Sequence, residues 1–218
     1  MNSARSYYDR LASIYDKATE PPGAWTPPSF LANVISENAL KRFPILDIGI
    51  GTGRSIESLY TCDSCDITGV DCSPKMLDIC RLKYPGIKLI EGYFPNVEFS
   101  PKRQFQLIVS CGVFEFIPDL NAAITKAASL LGDGGSFVFT YEPLIEGHEV
   151  QCEEKAIVVS SVSSEYYVPD FYTYRHPPST IRNYVRGAGL TIALDEEFVS
   201  YKKQNNLIIY HCILAHRS

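Results

Sequence analysis

A chain of 218 residues is long enough for one domain whose core needs neither disulfides nor a structural metal. Its formal charge of −5 gives no net attraction for nucleic acid or an anionic membrane, so small molecules are the expected partners and neither nucleic acid nor membrane is. Seven cysteines, an odd number, behind an N-terminus "MNSARSYYDR" without a signal-peptide core point to a reducing, cytoplasmic compartment.

In chain order, "SYYDRLASIYDKA" has the period of an amphipathic helix, with Tyr8, Leu11, Tyr15 and Ala18 near one stripe. The proline-rich "TEPPGAWTPPSF" separates it from a second helix expected over 29–41. Apolar runs of strand length then recur in "FPILDIG", "CDITGVD", "GIKLIEG", "FQLIVSC" and "GSFVFTYE". Between them "GRSIESLYT", "SPKMLDICRLKY" and "PDLNAAITKAASLLG" read as helices, the second capped by Ser73 with Pro74 in its first turn. Strands alternating with helices imply a parallel sheet covered on both faces. Cys62 and Cys65 form a C-x-x-C, but no second ligand pair follows at zinc spacing and no metal is expected.

Residues 142–176 are polar, aromatic and serine-rich, too long for a plain connection, and read as a lid or ligand-facing insertion. A helix "PPSTIRNYVRGAG" follows. The closing "LTIALDEEFVSYKKQNNLIIYHCILAHR" reads as an antiparallel strand pair turning around Asn205 and Asn206. The fold class is thus α/β, a Rossmann-like three-layer sandwich with a mostly parallel seven-stranded sheet ending in an antiparallel pair.

The most informative stretch is "PILDIGIGTGRSIESL". A strand, glycine-rich turn and helix bring backbone N–H groups to the carboxyl edge of a parallel sheet, where such sheets bind ligands. Gly49, Gly51 and Gly53 give G-x-G-x-G, and Arg54 stands where a dinucleotide turn needs a small residue under its helix. Asp47 inside the turn would repel a diphosphate and suits a ligand with a positive charge. Asp71 ends the next strand, placed to bridge two ribose hydroxyls. A nucleoside with a cationic tail is implied.

"ILDIGIGTGRS", "ITGVDCSPKML", "FQLIVSCGVFEFIPD" and "LGDGGSFVFTYEP" resemble, in order and spacing across residues 44–143, the motifs of class I S-adenosylmethionine-dependent methyltransferases. "YYDRLASIYDKA" resembles the helix preceding the core in small-molecule members. The resemblance implies S-adenosylmethionine as cofactor and S-adenosylhomocysteine as product. It sets Asp47 and the backbone of Gly49–Gly53 at the methionine half, Asp71 at the ribose, Cys72 and Met76 beside the adenine, Cys111 along the cofactor, and Tyr15 near the methionine carboxylate. Where members often carry Gly-Asp after the third strand, this chain has Gly92 and Tyr93, so adenine would rest on backbone or on stacking with Tyr93 or Phe94. Phe116 in "FEFIPD" stands where a histidine is common.

In this reading residues 1–42 are an N-terminal helical cap, 43–141 the cofactor core, 142–176 the substrate-facing insertion, and 177–218 the last helix and antiparallel strands of one domain, a monomer or homodimer. The expected reaction is methyl transfer to an oxygen or nitrogen of a small metabolite, in line with a natural-product intermediate. His148, His176 and Glu142 are the candidate bases, since all follow the fifth strand or lie in the insertion. The aromatic residues Tyr166, Tyr167, Phe171, Tyr172 and Tyr174, faced by Trp25 and Phe30, are expected to enclose the acceptor or to form the insertion's own core. A catalytically silent cofactor-binding protein and an RNA or protein methyltransferase are the alternatives.

Overall fold

The computed structural model describes residues 2–21, 23–61, 65–158 and 164–218, so Cys62 of the C-x-x-C lies outside the described residues. Two helices, α1 (Asn2–Thr19) and α2 (Pro27–Glu37), precede β1 (Ile45–Ile48). Then follow β2 (Ile67–Asp71), α3 (Pro74–Lys83), β3 (Lys88–Glu91), β4 (Phe105–Ser110), α4 (Leu120–Leu130) and β5 (Leu131–Tyr141). A short hairpin, β6 (Lys155–Ile157) with β7 (Tyr172–Tyr174), occupies the insertion before α5 (Pro178–Gly187), β8 (Leu190–Lys203) and β9 (Asn206–Arg217).

The main sheet has the order β3-β2-β1-β4-β5-β9-β8. The first five strands pair in parallel, while β9 runs antiparallel to both β5 and β8. The central strands read as unbroken apolar runs because helices cover both faces: Ile45, Leu46, Ile48, Leu107, Ile108, Val109, Phe137, Val138 and Phe139 are all buried. One apolar layer gathers α4 and α5 against one face, and a second gathers α2 and α3 against the other. From β1 the chain crosses to β2 on one side, and β4 lies on the other, so a crevice opens between the carboxyl ends of β1 and β4.

Local signals place the helices as expected. Ser73 accepts a hydrogen bond from the Met76 amide at 3.2 Å, and Asp119 from the Ala122 amide at 2.9 Å, each capping a first turn. The expected helix over "GRSIESLYT" is the exception, since only one 3₁₀ turn, Arg54–Ile56, forms there. Gly53 enters it left-handed, at φ 89°, and the Ser55 side chain is drawn down to Asp47, while Ile56 and Leu59 still bury.

Helix α1 lies across the carboxyl edge of the sheet and is tied there by its polar side. Ser73 Oγ donates to Asp9 at 2.6 Å, Thr52 Oγ1 donates to Asp16 at 2.6 Å, and Lys83 and Arg5 pair with Asp16 and Glu91, each at 3.0 Å. Its stripe of Tyr8, Leu11, Tyr15 and Ala18 faces inward over a cavity. Among the described residues no helix is long and apolar enough to cross a membrane.

Candidate functional site

Two adjoining cavities lie beneath α1, the first in the crevice and the second towards β8 and β9. The first, about 720 Å³ including its mouth, is floored by the turn after β1 and the end of β2, with Ile48, Gly49, Gly51, Val70, Asp71 and Cys72. Met76, the Gly92–Phe94 segment and Cys111–Val113 wall it, and Tyr8 and Tyr15 of α1 close it from above. Ten of the residues singled out from sequence therefore meet: Tyr15, Gly49, Gly51, Asp71, Cys72, Met76, Gly92, Tyr93, Phe94 and Cys111.

The glycine turn is bent back by its own amides. Gly49 N–H and Ile50 N–H both donate to the Val70 carbonyl, at 2.7 and 3.0 Å, and Gly51 N–H donates to Asp71 Oδ2 at 2.9 Å. Ser73 N–H donates to Asp71 Oδ1 at 2.8 Å, so the carboxylate is fixed at the cavity floor. Burial pushes Asp71 up to about 6, although these amides pull it back. At Gly49 φ is +75°, and an added Cβ would overlap the Val113 side chain, so the turn packs directly on the segment after β4. Burial raises the Cys72 thiol to about 12 and the Cys111 thiol well above its ordinary value, which keeps both neutral.

Asp47 and Gly53 are placed differently from the other ten. Asp47 is fully buried beneath the turn, where one oxygen accepts from Ser55 Oγ and Oδ1 has no partner; burial raises it to about 7. It lines neither cavity. Gly53 backs onto the Tyr84 ring, 2.5 Å from where a Cβ would stand.

A small recess off the first cavity is lined by Tyr15, Trp25, Gly49–Thr52, Arg54, Ser55 and Cys111. Arg54 Nη1 is buried there with no hydrogen-bond partner. The sequence marked Arg54 only as an obstacle to a dinucleotide; its orphaned donor makes it a candidate anion ligand.

The second cavity, about 1060 Å³ including its mouth, shares Tyr8, Tyr15, Gly112 and Phe116 with the first. Its other walls include Tyr7, Trp25, Tyr201 and Tyr210, with Trp25 edge-on to Tyr210 at 5.5 Å and tilted against Tyr201 at 5.7 Å. Of the rings expected to form that enclosure Trp25 is in place, and the others lie elsewhere. Phe171 and Tyr166 pack under α1 with Tyr7 and Leu11, Tyr172 and Tyr174 flank the Lys155 ammonium, and Tyr167 is exposed. Phe30 stacks on Phe198 at 4.0 Å. The aromatic lining thus comes mainly from α1, the α1–α2 connection and the last two strands.

Of the three candidate bases only Glu142 reaches a cavity. His148 Nδ1 accepts from the Val150 and Gln151 amides, both at 3.1 Å, which leaves Nε2–H to donate to the Leu207 carbonyl at 3.1 Å. Both ring nitrogens are thereby used, and His148 lines neither cavity. His176 also lies outside both, edge-on to Tyr184, with its pKa lowered by burial. Glu142 does line the second cavity, but it accepts from Arg175 Nε at 2.7 Å in a buried ion pair.

Sequence reasoning passed over Glu115. It sits in a single 3₁₀ turn, Phe114–Phe116, at 2% exposure and on the wall of the second cavity. Tyr210 Oη donates to its Oε1 at 2.7 Å, while Oε2 has no partner. Burial raises its carboxyl to about 8. Among the described residues no group of three potential ligands could hold a metal ion.

A family model described as a methyltransferase domain matches residues 45–135. A demethylmenaquinone methyltransferase of Chlorobaculum tepidum is 27% identical over 87% of this chain and 81% of its own length. A ubiquinone biosynthesis O-methyltransferase of Bordetella avium is 26% identical over 67% of this chain and 61% of its own. The structure of the CcbJ methyltransferase from Streptomyces caelestis superposes over 98% of both chains with a TM-score of 0.69 at 19% identity, a likeness of fold.

Proposed function

Because the chain belongs to the class I S-adenosylmethionine-dependent methyltransferases, we propose that it transfers a methyl group to an oxygen or nitrogen of a small metabolite held in the second cavity. The observation that carries this reading is the junction of two unlike cavities at Tyr8, Tyr15, Gly112 and Phe116. One is floored by a fixed carboxylate, and the other is walled by aromatic rings.

The residues of the first cavity fit the cofactor. Asp71 offers its remaining lone pairs to two ribose hydroxyls. Arg54, with a buried donor that has no partner, suits the carboxylate of the amino-acid tail, beside Tyr15 and the turn backbone. Met76, Tyr93 and Phe94 provide apolar walls for the base. When bound, the cofactor supplies an electrophilic methyl carbon on a sulfonium, whose charge vanishes on transfer. The protein's part is alignment and exclusion of water: α1 closes over both cavities, and Tyr8 and Tyr15 form the shared wall.

In this reading residues 1–42 act as the cap, 43–141 as the cofactor core and 177–218 as the far wall, while the 142–176 insertion faces the substrate through Glu142, Val150, Ile157, Val158, Thr173 and Arg175 and also packs under α1. An acceptor with an aromatic ring fits the second cavity, in keeping with the quinone-related names of two relatives. Titration calorimetry with S-adenosylhomocysteine tests the reading. Binding in the micromolar range is expected, with adenosine alone weaker for want of the Arg54 contact. The absence of heat at millimolar ligand would overturn it.

A further inference from the structure

Glu115 has a buried carboxyl with one oxygen committed and one free, on the wall of the cavity proposed for the acceptor and at its junction with the cofactor cavity. The committed oxygen, Oε1, takes the Tyr210 hydroxyl at 2.7 Å; a Cβ on Gly112, which lines both cavities, would lie 3.7 Å from that same oxygen. A free oxygen in a site this dry is costly unless a ligand supplies a proton to it. Resting on the methyltransferase reading above, we infer that Glu115 is the base that takes the acceptor's proton and that the acceptor presents a hydroxyl on an aromatic ring.

The charged and titratable groups around Glu115 leave it this role. Tyr8 of α1, Cys111 after β4, and Tyr201 and Tyr210 of β8 and β9 are all acids held above their ordinary range by burial, and so are poor proton acceptors. Glu142 is neutralised by Arg175 at 2.7 Å, and Lys203, on the same cavity wall, is a cation. Among the described residues, Glu115 is the carboxyl on this cavity wall with a fully buried oxygen that has no hydrogen-bond partner.

The chemistry selects a hydroxyl over an amine. A carboxylate beside an aliphatic amine would hold it as the ammonium and block the lone pair that must attack, and an aromatic amine is already neutral and needs no base, whereas a hydroxyl needs its proton removed. In the balanced step Glu115 Oε2 takes the hydroxyl proton as the acceptor oxygen forms its bond to the methyl carbon. The sulfur–carbon bond breaks with its electron pair going to sulfur, giving a methyl ether, a neutral thioether and protonated Glu115. An ordinary carboxylate is a weak base for a phenol; burial brings Glu115 to about 8, nearer the phenolic range.

The test uses the full chain, labelled S-adenosylmethionine, and four probe acceptors: catechol and 4-hydroxybenzoate as phenols, benzylamine and aniline as amines. The wild type should methylate a phenol, with kcat/KM rising with pH and levelling near the value of about 8 given above. Glu115→Gln should lower kcat by roughly 100-fold or more while leaving the Kd for S-adenosylhomocysteine within about twofold. Tyr210→Phe removes a hydrogen bond that favours the ionised carboxylate, so its profile should shift to higher pH; this variant also serves if Glu115→Gln does not fold. Independently of turnover, Glu115→Gln should lose less thermal stability than the wild type as pH rises towards 8. An unchanged rate and pH profile in Glu115→Gln, methylation of the amines alone, or no methylation of any probe by protein that binds S-adenosylhomocysteine would each overturn the inference. Failure of the wild type to bind S-adenosylhomocysteine would instead overturn the methyltransferase reading beneath it.

Discussion

Asp71 is held by two backbone amides at 2.9 and 2.8 Å, yet burial keeps it near 6, so its ionisation and its ligand are linked. Ribose hydroxyls donate only to the ionised carboxylate on both oxygens. Affinity for S-adenosylhomocysteine should therefore be flat above neutrality and fall by up to about tenfold per pH unit below about 6. Asp71→Asn should weaken binding by roughly tenfold or more and abolish that acid limb, as calorimetry at pH 5 and 7.5 would read. Arg54→Met makes a complementary case. It removes a donor that has no partner in the free protein, so folding should be little affected while S-adenosylhomocysteine binds about tenfold or more weaker. Adenosine should bind Arg54→Met and wild type alike; an equal loss for both ligands would place the effect on the fold and not on the carboxylate.

The elements that shape the site are short and held by contacts outside themselves. The turn after β1 is pressed against Val113, with Gly49 left-handed, so Gly49→Ala should push the segment after β4 away and constrict the first cavity. A drop in melting temperature together with loss of S-adenosylhomocysteine binding is expected. An alanine variant with wild-type affinity would show that the two segments are less tightly coupled than their packing implies. Helix α1 is held by polar ties, Asp9 to Ser73 and Asp16 to Thr52 and Lys83, and by the packing of Tyr7 and Leu11 against Val168 and Phe171. Part-buried ties of this kind contribute about 1 kcal/mol or less each. Asp16→Ala should accordingly leave the melting temperature nearly unchanged but increase proteolytic cleavage within α1, and S-adenosylhomocysteine should suppress that cleavage.

For the whole molecule, the notable electrostatic feature is that acids are buried without full compensation. Asp47 is raised to about 7 and Glu115 to about 8, in both cases by burial first. In the unfolded chain both titrate near 4, so across neutrality the native state holds more protons and stability falls as pH rises towards the folded values. His176, lowered by burial, and Asp195, held low by His211 and Arg182, act in the opposite sense, but only at more acid pH. The ligand-free protein should therefore lose about 5 °C in melting temperature between pH about 6.5 and 8, and Glu115→Gln should remove part of that loss. A melting temperature that rose over this interval would mean that water or ions compensate these carboxyls.

Much of this architecture was written in local pattern. The alternation of apolar runs with helices, the caps at Ser73 and Asp119, the Tyr8–Leu11–Tyr15–Ala18 stripe and the carboxylate at the end of β2 each depend on residues a few positions apart, and backbone geometry turns such spacing directly into structure. What decided the rest was distance in sequence. The segment after Gly53 carries a helical pattern, but the bond from Ser55 to Asp47 and the left-handed entry leave it a single 3₁₀ turn. Histidines in the expected region turned out to bond backbone or pack outside the cavities. Glu115 gave no periodic signal, because its character comes from Tyr210, 95 residues away, and from the Glu142–Arg175 pair. The sequence by itself determined the succession of strands and helices along the chain and the acid at the sheet's rim, since these follow from local periodicity. Only the tertiary structure decided which polar groups are dried out and which are left without partners, because desolvation is set by what packs around a group and not by its neighbours in the chain.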